Sequence, residues 1–80
     1  MTRFLLHHRH SAQECAAAAA SWRGHRSPLR GRPAPGSCRY GGHEIWWQVD
    51  ASNREAALAQ LPIYVAERTT ATRVDEVEIP

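Results

Sequence analysis

The stretch Tyr40-Gly41-Gly42-His43 places two glycines between two short runs of strand-forming residues. Glycine adopts positive φ angles without a steric penalty, and Gly-Gly is one of the favoured pairs in two-residue hairpin turns. The stretch therefore predicts a tight β-hairpin, with one strand over residues 37–40 and the next over residues 43–50.

Side chains alternate between the two faces of a strand, so this hairpin assigns every neighbouring residue to a face. One face carries most of the apolar side chains and is predicted to be buried, whereas the other is largely polar. The predicted buried face consists of Cys38, Tyr40, His43, Ile45, Trp47 and Val49. The outer face places Arg39 opposite Glu44, and this favourable cross-strand ion pair supports the register.

The flanking segments add two helices and two outer strands. Alternating apolar residues predict a first strand over residues 3–9, and residues 70–79 predict the last strand. The alternation of the last strand is imperfect, which a bulge or burial on both faces would explain. Two capping boxes, Ser11-Ala12-Gln13-Glu14 and Ser52-Asn53-Arg54-Glu55, predict the two helix starts. The second helix should end near Pro62, because proline cannot donate the hydrogen bond that a helix interior requires.

This order of elements predicts an α+β fold, the ferredoxin-like split βαβ sandwich (β-α-β-β-α-β). It has a four-stranded antiparallel sheet in the order 4-1-3-2, with two helices on one face. Residues 1–80 form a single domain, and residues 23–36, rich in Arg, Pro and Gly, form a flexible loop. The opposite sheet face carries Leu5 and Trp46 without cover, which predicts a homodimer interface there.

Composition restricts the class of protein. The chain has 80 residues, of which 42% are apolar, and a net charge of +2. This charge is too small and too dispersed for a nucleic-acid binder, and the five-alanine run of residues 16–20 is too short for a membrane span. No secretory signal is evident, so we expect a cytoplasmic protein with both cysteines reduced. Ten arginines without a lysine, beside many alanines, indicate a GC-rich genome.

The predicted topology gathers imidazole and thiol groups at one end of the sheet. The first and third strands are antiparallel neighbours, so His8 and His10 should approach His43. Cys38 lies on the adjacent predicted strand, and Cys15 lies in the first turn of the overlying helix. Such groups bind zinc, nickel or copper, so we predict a metal site formed by His8, His10, His43 and either Cys38 or Cys15.

Other interpretations of the same residues remain open. His43 or His8 beside Glu14 would provide a general acid or base near neutral pH. The protein could instead be a structural or partner-binding module that works through the face around Trp46. The arginines of the loop could bind an anionic small-molecule ligand. In the simplest interpretation, the histidines meet solvent at the strand ends and the cysteines fill the core.

Residues 38–79 also resemble a known family, with a looser match in the first strand. The segments that carry the resemblance are Cys38-Arg39-Tyr40, Ile45-Trp46-Trp47-Gln48-Val49-Asp50-Ala51-Ser52 and Ala56-Ala57-Leu58-Ala59-Gln60-Leu61-Pro62-Ile63-Tyr64. They resemble the muconolactone-isomerase-like branch of the dimeric α/β-barrel proteins. They are also similar to small ferredoxin-like proteins of GC-rich bacteria, some of which bind nickel or another transition metal. The resemblance implies a ferredoxin-like dimer with acid–base residues in a cavity between protomers.

Overall fold

A computed structural model describes all 80 residues of the chain. Three strands form a single antiparallel sheet, namely β1 (Thr2–Arg9), β2 (Glu44–Ala51) and β3 (Thr69–Arg73). β1 is the central strand, with β2 on one side and β3 on the other. Three short helices, α1 (Cys15–Ala20), α2 (Arg54–Leu58) and α3 (Ile63–Ala66), complete the fold.

The predicted four-stranded ferredoxin-like sheet is wrong, because the second predicted strand does not form. Residues 38–40 make a single 3₁₀ turn that ends at Gly41, whose φ is 83°. Upstream of this turn, only Gly36 pairs with β2, through one isolated bridge to Ile45. The predicted pair of helices is also wrong, because the apolar segment after Pro62 forms a third short helix, α3, and α2 ends at Leu58.

The physical reason is that residues 38–40 are used in the turn that reverses the chain, so they cannot pair with β2. The residues before them cannot replace this strand, because Pro33 and Pro35 have no N–H group to donate to β2. The chain still reverses direction, but in a wider loop, which Ser37 closes by donating its N–H to the Glu44 carbonyl at 2.8 Å. Gly42 is needed in this loop because a Cβ there would overlap the Ser37 side chain.

The predicted ion pair between Arg39 and Glu44 is also wrong. Glu44 instead reaches across to β1, where its Oε1 lies 2.7 Å from His7 Nε2 and 3.6 Å from Arg9 Nε. Arg39 lies in the 3₁₀ turn rather than on a strand opposite Glu44, and the Arg39 residue is exposed.

One face of the sheet packs against the helices and forms the core. The alternation predicted for residues 45–49 is present, since Val49 is buried and Trp47 packs against the core cluster. Leu6 at the centre of β1 is completely buried. The buried cluster consists of Phe4, Leu6, Val49, Ala51, Ala57, Leu61, Val65 and Ala71.

The two capping boxes have different outcomes. The first is present, because the Ser11 N–H donates to Glu14 Oε1 at 2.8 Å. The second box does not form, because α2 is capped one residue later than predicted, by Asn53, which accepts the Ala56 N–H at 2.7 Å. Pro62 stands at the start of α3, after α2 has ended.

The different cap gives a direct test. Asn53→Ala should lower the free energy of unfolding by about 0.5–2 kcal/mol, because an orphan amide of α2 loses its acceptor. Ser52→Ala is the matched control and should change it by about 0.5 kcal/mol or less, as an ordinary exposed position. Urea denaturation followed by circular dichroism measures both. A larger loss for Ser52→Ala would mean that the sequence-based cap is the correct one.

The last strand is shorter than predicted, because β3 ends at Arg73 rather than residue 79. The following residues include Asp75, Glu76 and Glu78, whose charges do not suit a sheet face. Val77 and Ile79 are accordingly 76% and 82% exposed.

The outer face of the sheet is mostly polar. Leu5 is 38% exposed, and Trp46 stacks on His7 with ring centroids 5.1 Å apart. The homodimer or partner contact through Leu5 and Trp46 stays a prediction. In loop 23–36, which contains no helix or strand, Leu29 packs against the core. None of the helices has the length and apolar character needed to cross a membrane.

Candidate metal centre

Three side chains with metal-binding atoms meet at one end of the sheet. His10 follows β1 directly and His43 precedes β2 directly, so the antiparallel pairing continues into them, and the His10 N–H donates to the His43 carbonyl at 3.1 Å. Cys15 is the first residue of α1. Each of the three offers one ligand atom, and these atoms all lie within 4.8 Å of one another. This group can hold a metal ion.

Two imidazole nitrogens at this position have no hydrogen-bond partner. They are His10 Nε2 and His43 Nδ1, both shielded from solvent, and they are the only buried side-chain nitrogen or oxygen atoms in this condition. A buried polar atom without a partner costs free energy, so native structures rarely retain one without a reason. A metal ion between the two rings would satisfy both atoms.

A buried histidine behind His10 determines which of its nitrogens is free. His8 is 1% exposed, and its Nδ1 lies 3.2 Å from the Val65 carbonyl oxygen and 3.1 Å from Thr69 Oγ1. A carbonyl oxygen can only accept a hydrogen bond, so we assign the ring proton of His8 to Nδ1. The Thr69 hydroxyl donates to the same carbonyl at 2.6 Å and can therefore accept from His8 as well.

The tautomer of His8 determines the tautomer of His10. With its proton on Nδ1, His8 has a free electron pair on Nε2, which lies 2.9 Å from His10 Nδ1. His10 must then donate from Nδ1, which leaves the electron pair on its Nε2. That atom is the unpartnered nitrogen, so the network presents a ligand electron pair to the site, as outer hydrogen bonds do in known metal centres.

Burial keeps both rings neutral. Desolvation lowers the pKa of His8 below its usual value of 6.5, and the nearby His10 lowers it further. Desolvation also lowers the pKa of His10, with a second contribution from His43. A neutral imidazole is the form that binds metal, so the His10 ring is in the form that binds metal at neutral pH.

His43 has an unusual backbone conformation. Its φ of 51° makes it the only non-glycine residue in the left-handed region. A non-glycine residue there stores about 1–3 kcal/mol of strain, which is found most often at binding and catalytic sites. The His43 ring lies against that of His10, with centroids 5.2 Å apart.

The structure gathers some of the predicted site residues and separates others. His10 and His43 meet as predicted, and Cys15 rather than Cys38 completes the group. Cys38 lines an adjoining cavity of about 130 Å³ together with His8, His10 and Cys15. His8 bonds to His10 rather than joining the group. Direct metal ligation by His8 or Cys38 stays a prediction.

Glu14 does not form the acid–base pair that the sequence allowed. The Ser11 N–H and the Arg68 guanidinium, whose Nε lies 2.9 Å from Glu14 Oε2, lower the pKa of Glu14 to about 2. No hydrogen bond joins Glu14 to His8 or His43. A carboxylate held in this way is a weak base, so the geometry favours metal binding over acid–base catalysis.

Comparison of the chain with protein-family models, with curated proteins and with solved structures gives no match. The resemblance to the muconolactone-isomerase-like branch therefore stays a prediction. The support for the candidate metal centre therefore comes from the arrangement of its own residues.

Proposed function

We propose that this protein binds one transition-metal ion through His10, Cys15 and His43. The observation that carries the proposal is the pair of buried, unpartnered imidazole nitrogens beside a thiol. Two imidazoles and one thiolate form a ligand set suited to zinc, and nickel and copper also accept it.

The spacing is compatible with a tetrahedral ion. Ligand atoms around tetrahedral zinc stand roughly 3.5 Å apart, given the usual zinc–nitrogen and zinc–sulfur bond lengths. The three atoms here lie within 4.8 Å of one another, so small side-chain rotations suffice. Three protein ligands leave a fourth position open, an arrangement typical of zinc sites that bind water or a substrate.

Calorimetry tests the proposal directly. Untagged protein, stripped of metal with a chelator, should bind one zinc ion per chain at pH 7.5. Binding releases a proton, because the Cys15 thiol must become a thiolate. Absence of saturable binding at millimolar zinc would contradict the proposal.

The affinity should also depend on pH. Lowering the pH from 7.5 to 5.0 should weaken zinc binding by at least about tenfold, because protons compete for the thiolate and the imidazoles. Burial and the nearby His43 lower the pKa of His10, so protons compete for His10 at a lower pH than for an ordinary histidine. Titrations in buffers of matched ionic strength measure the effect, and an affinity that stays constant over this range would exclude these ligands.

A further inference from the structure

A second cavity, of about 550 Å³, lies between loop 23–36 and β2. This volume is in the ordinary range for small-molecule sites. Its apolar lining comes from Trp22, Leu29, Ile45 and Trp47, and much of the remaining wall comes from the loop itself. The cavity is therefore suited to a ligand with an apolar body.

The cavity has an uncompensated positive charge. Arg30, Arg32 and Arg39 line it, and no acidic residue does. None of the three belongs to any of the five ion pairs of the protein. Arg30 makes one long hydrogen bond, of 3.3 Å, to the His25 carbonyl, whereas Arg32 and Arg39 make no side-chain hydrogen bond. Three arginines without an acidic partner around an apolar space favour an anion.

This cavity adjoins the candidate metal centre. It shares four lining residues with the 130 Å³ cavity beside Cys15, namely Trp22, Cys38, Ile45 and Trp47. Cys38, which is not part of the metal-binding group, thus lies in the wall between the two spaces. A ligand in the larger cavity would sit next to the metal centre without needing it for binding.

We propose that the larger cavity binds a flat organic carboxylate. Its ring packs against Trp22 and Trp47, and its carboxylate is held by Arg32 and Arg39. A guanidinium is planar and presents paired N–H donors, which match the two oxygens of a carboxylate. The larger cavity thus offers both features that such a ligand needs, an aromatic surface for its ring and guanidinium groups for its carboxylate.

Tryptophan fluorescence of the metal-free protein tests the ligand class, because Trp22 and Trp47 line the cavity. The probes are 2-naphthoate and its neutral counterpart 2-naphthamide. We expect saturable quenching by 2-naphthoate, with an affinity at least about tenfold higher than for the amide, as charge-assisted hydrogen bonds provide. Equal affinities, or no saturation with 2-naphthoate, would overturn the proposal.

Two variants test which arginines bind the carboxylate of 2-naphthoate. The double variant Arg32→Gln/Arg39→Gln should lose at least about tenfold in affinity for 2-naphthoate and little for the amide. Arg26→Gln is the matched control, since Arg26 is exposed in the same loop but does not line the cavity. Circular dichroism confirms that each variant is folded. Wild-type affinity in the double variant, or an equal loss in the control, would refute the assignment.

Two further measurements separate this site from others. Cys15→Ser should bind 2-naphthoate as the wild type does, so failure of the metal proposal leaves this one standing. Inorganic phosphate at equimolar concentration should not displace 2-naphthoate, because it lacks the apolar body. If it did displace the probe, the site would recognise charge alone and the carboxylate proposal would be wrong.

Discussion

Replacing Cys15 by serine should weaken metal binding by more than about 100-fold, since even outer-sphere partners of metal ligands contribute 10–100-fold. The substitution removes the only thiol among the three clustered ligand atoms. Cobalt is the best probe, because a thiolate ligand gives a charge-transfer absorption that imidazoles do not. The expected result is loss of this absorption together with the loss of affinity.

Cys38→Ser is the matched control for that experiment. Cys38 lines the same small cavity as Cys15 but does not belong to the metal-binding group. It should therefore retain the thiolate absorption and an affinity close to that of the wild type. The opposite pattern, with binding lost in Cys38→Ser and kept in Cys15→Ser, would place the thiolate ligand at Cys38 and refute the arrangement described above.

The largest effect on stability is expected at the centre of the sheet. Leu6→Ala should lower the free energy of unfolding by about 2–5 kcal/mol, because it leaves a cavity where the side chain is completely buried. A domain of this size has little stability to spare, so the variant should be partly unfolded at ambient temperature.

Leu5→Ala provides the comparison within the same strand. Leu5 points to the outer face and is 38% exposed, so its truncation should cost about 1 kcal/mol or less. Urea denaturation at fixed pH gives both values. Equal losses would show that the two faces of β1 are buried to the same extent, contrary to the structure.

Patterns local to one strand were predictable from the sequence. The alternation through Trp47 and Val49 identified the buried face of β2, and the meeting of His10 with His43 followed from the antiparallel pairing of β1 and β2. Both depend only on the period of a strand and on which strands are neighbours.

Features that depend on the width of one turn were not predictable. Gly41-Gly42 suits a two-residue hairpin, but the chain reverses in a wider loop that takes up residues 38–40 as a 3₁₀ turn. Pro33 and Pro35 prevent the preceding residues from forming a strand in their place. The predicted second strand is therefore absent, and Cys38 lies in the turn instead of on a strand. The sequence alone therefore could not show that Cys15, and not Cys38, lies beside His10 and His43.

The network behind His10 also lay beyond sequence reasoning. His8 is oriented by Val65 and Thr69, which are 57 and 61 residues away along the chain. No spacing rule connects such positions, because they are brought together only when α3 and β3 pack beside β1. The alternation of a strand with Leu5 on its outer face puts His8 on the inner face, but the partners of His8 could not be named.

The positions of the three ligand atoms along the chain have a mechanical consequence. An ion held by His10, Cys15 and His43 would cross-link the beginning of the chain to the start of β2 and enclose loop 23–36 within the resulting ring. Closing a ring of this length restricts the unfolded chain far more than the folded one. The core cluster of this domain has only eight residues, so such a cross-link would contribute a large share of its stability. The temperature at which the protein unfolds would then rise with the concentration of free metal.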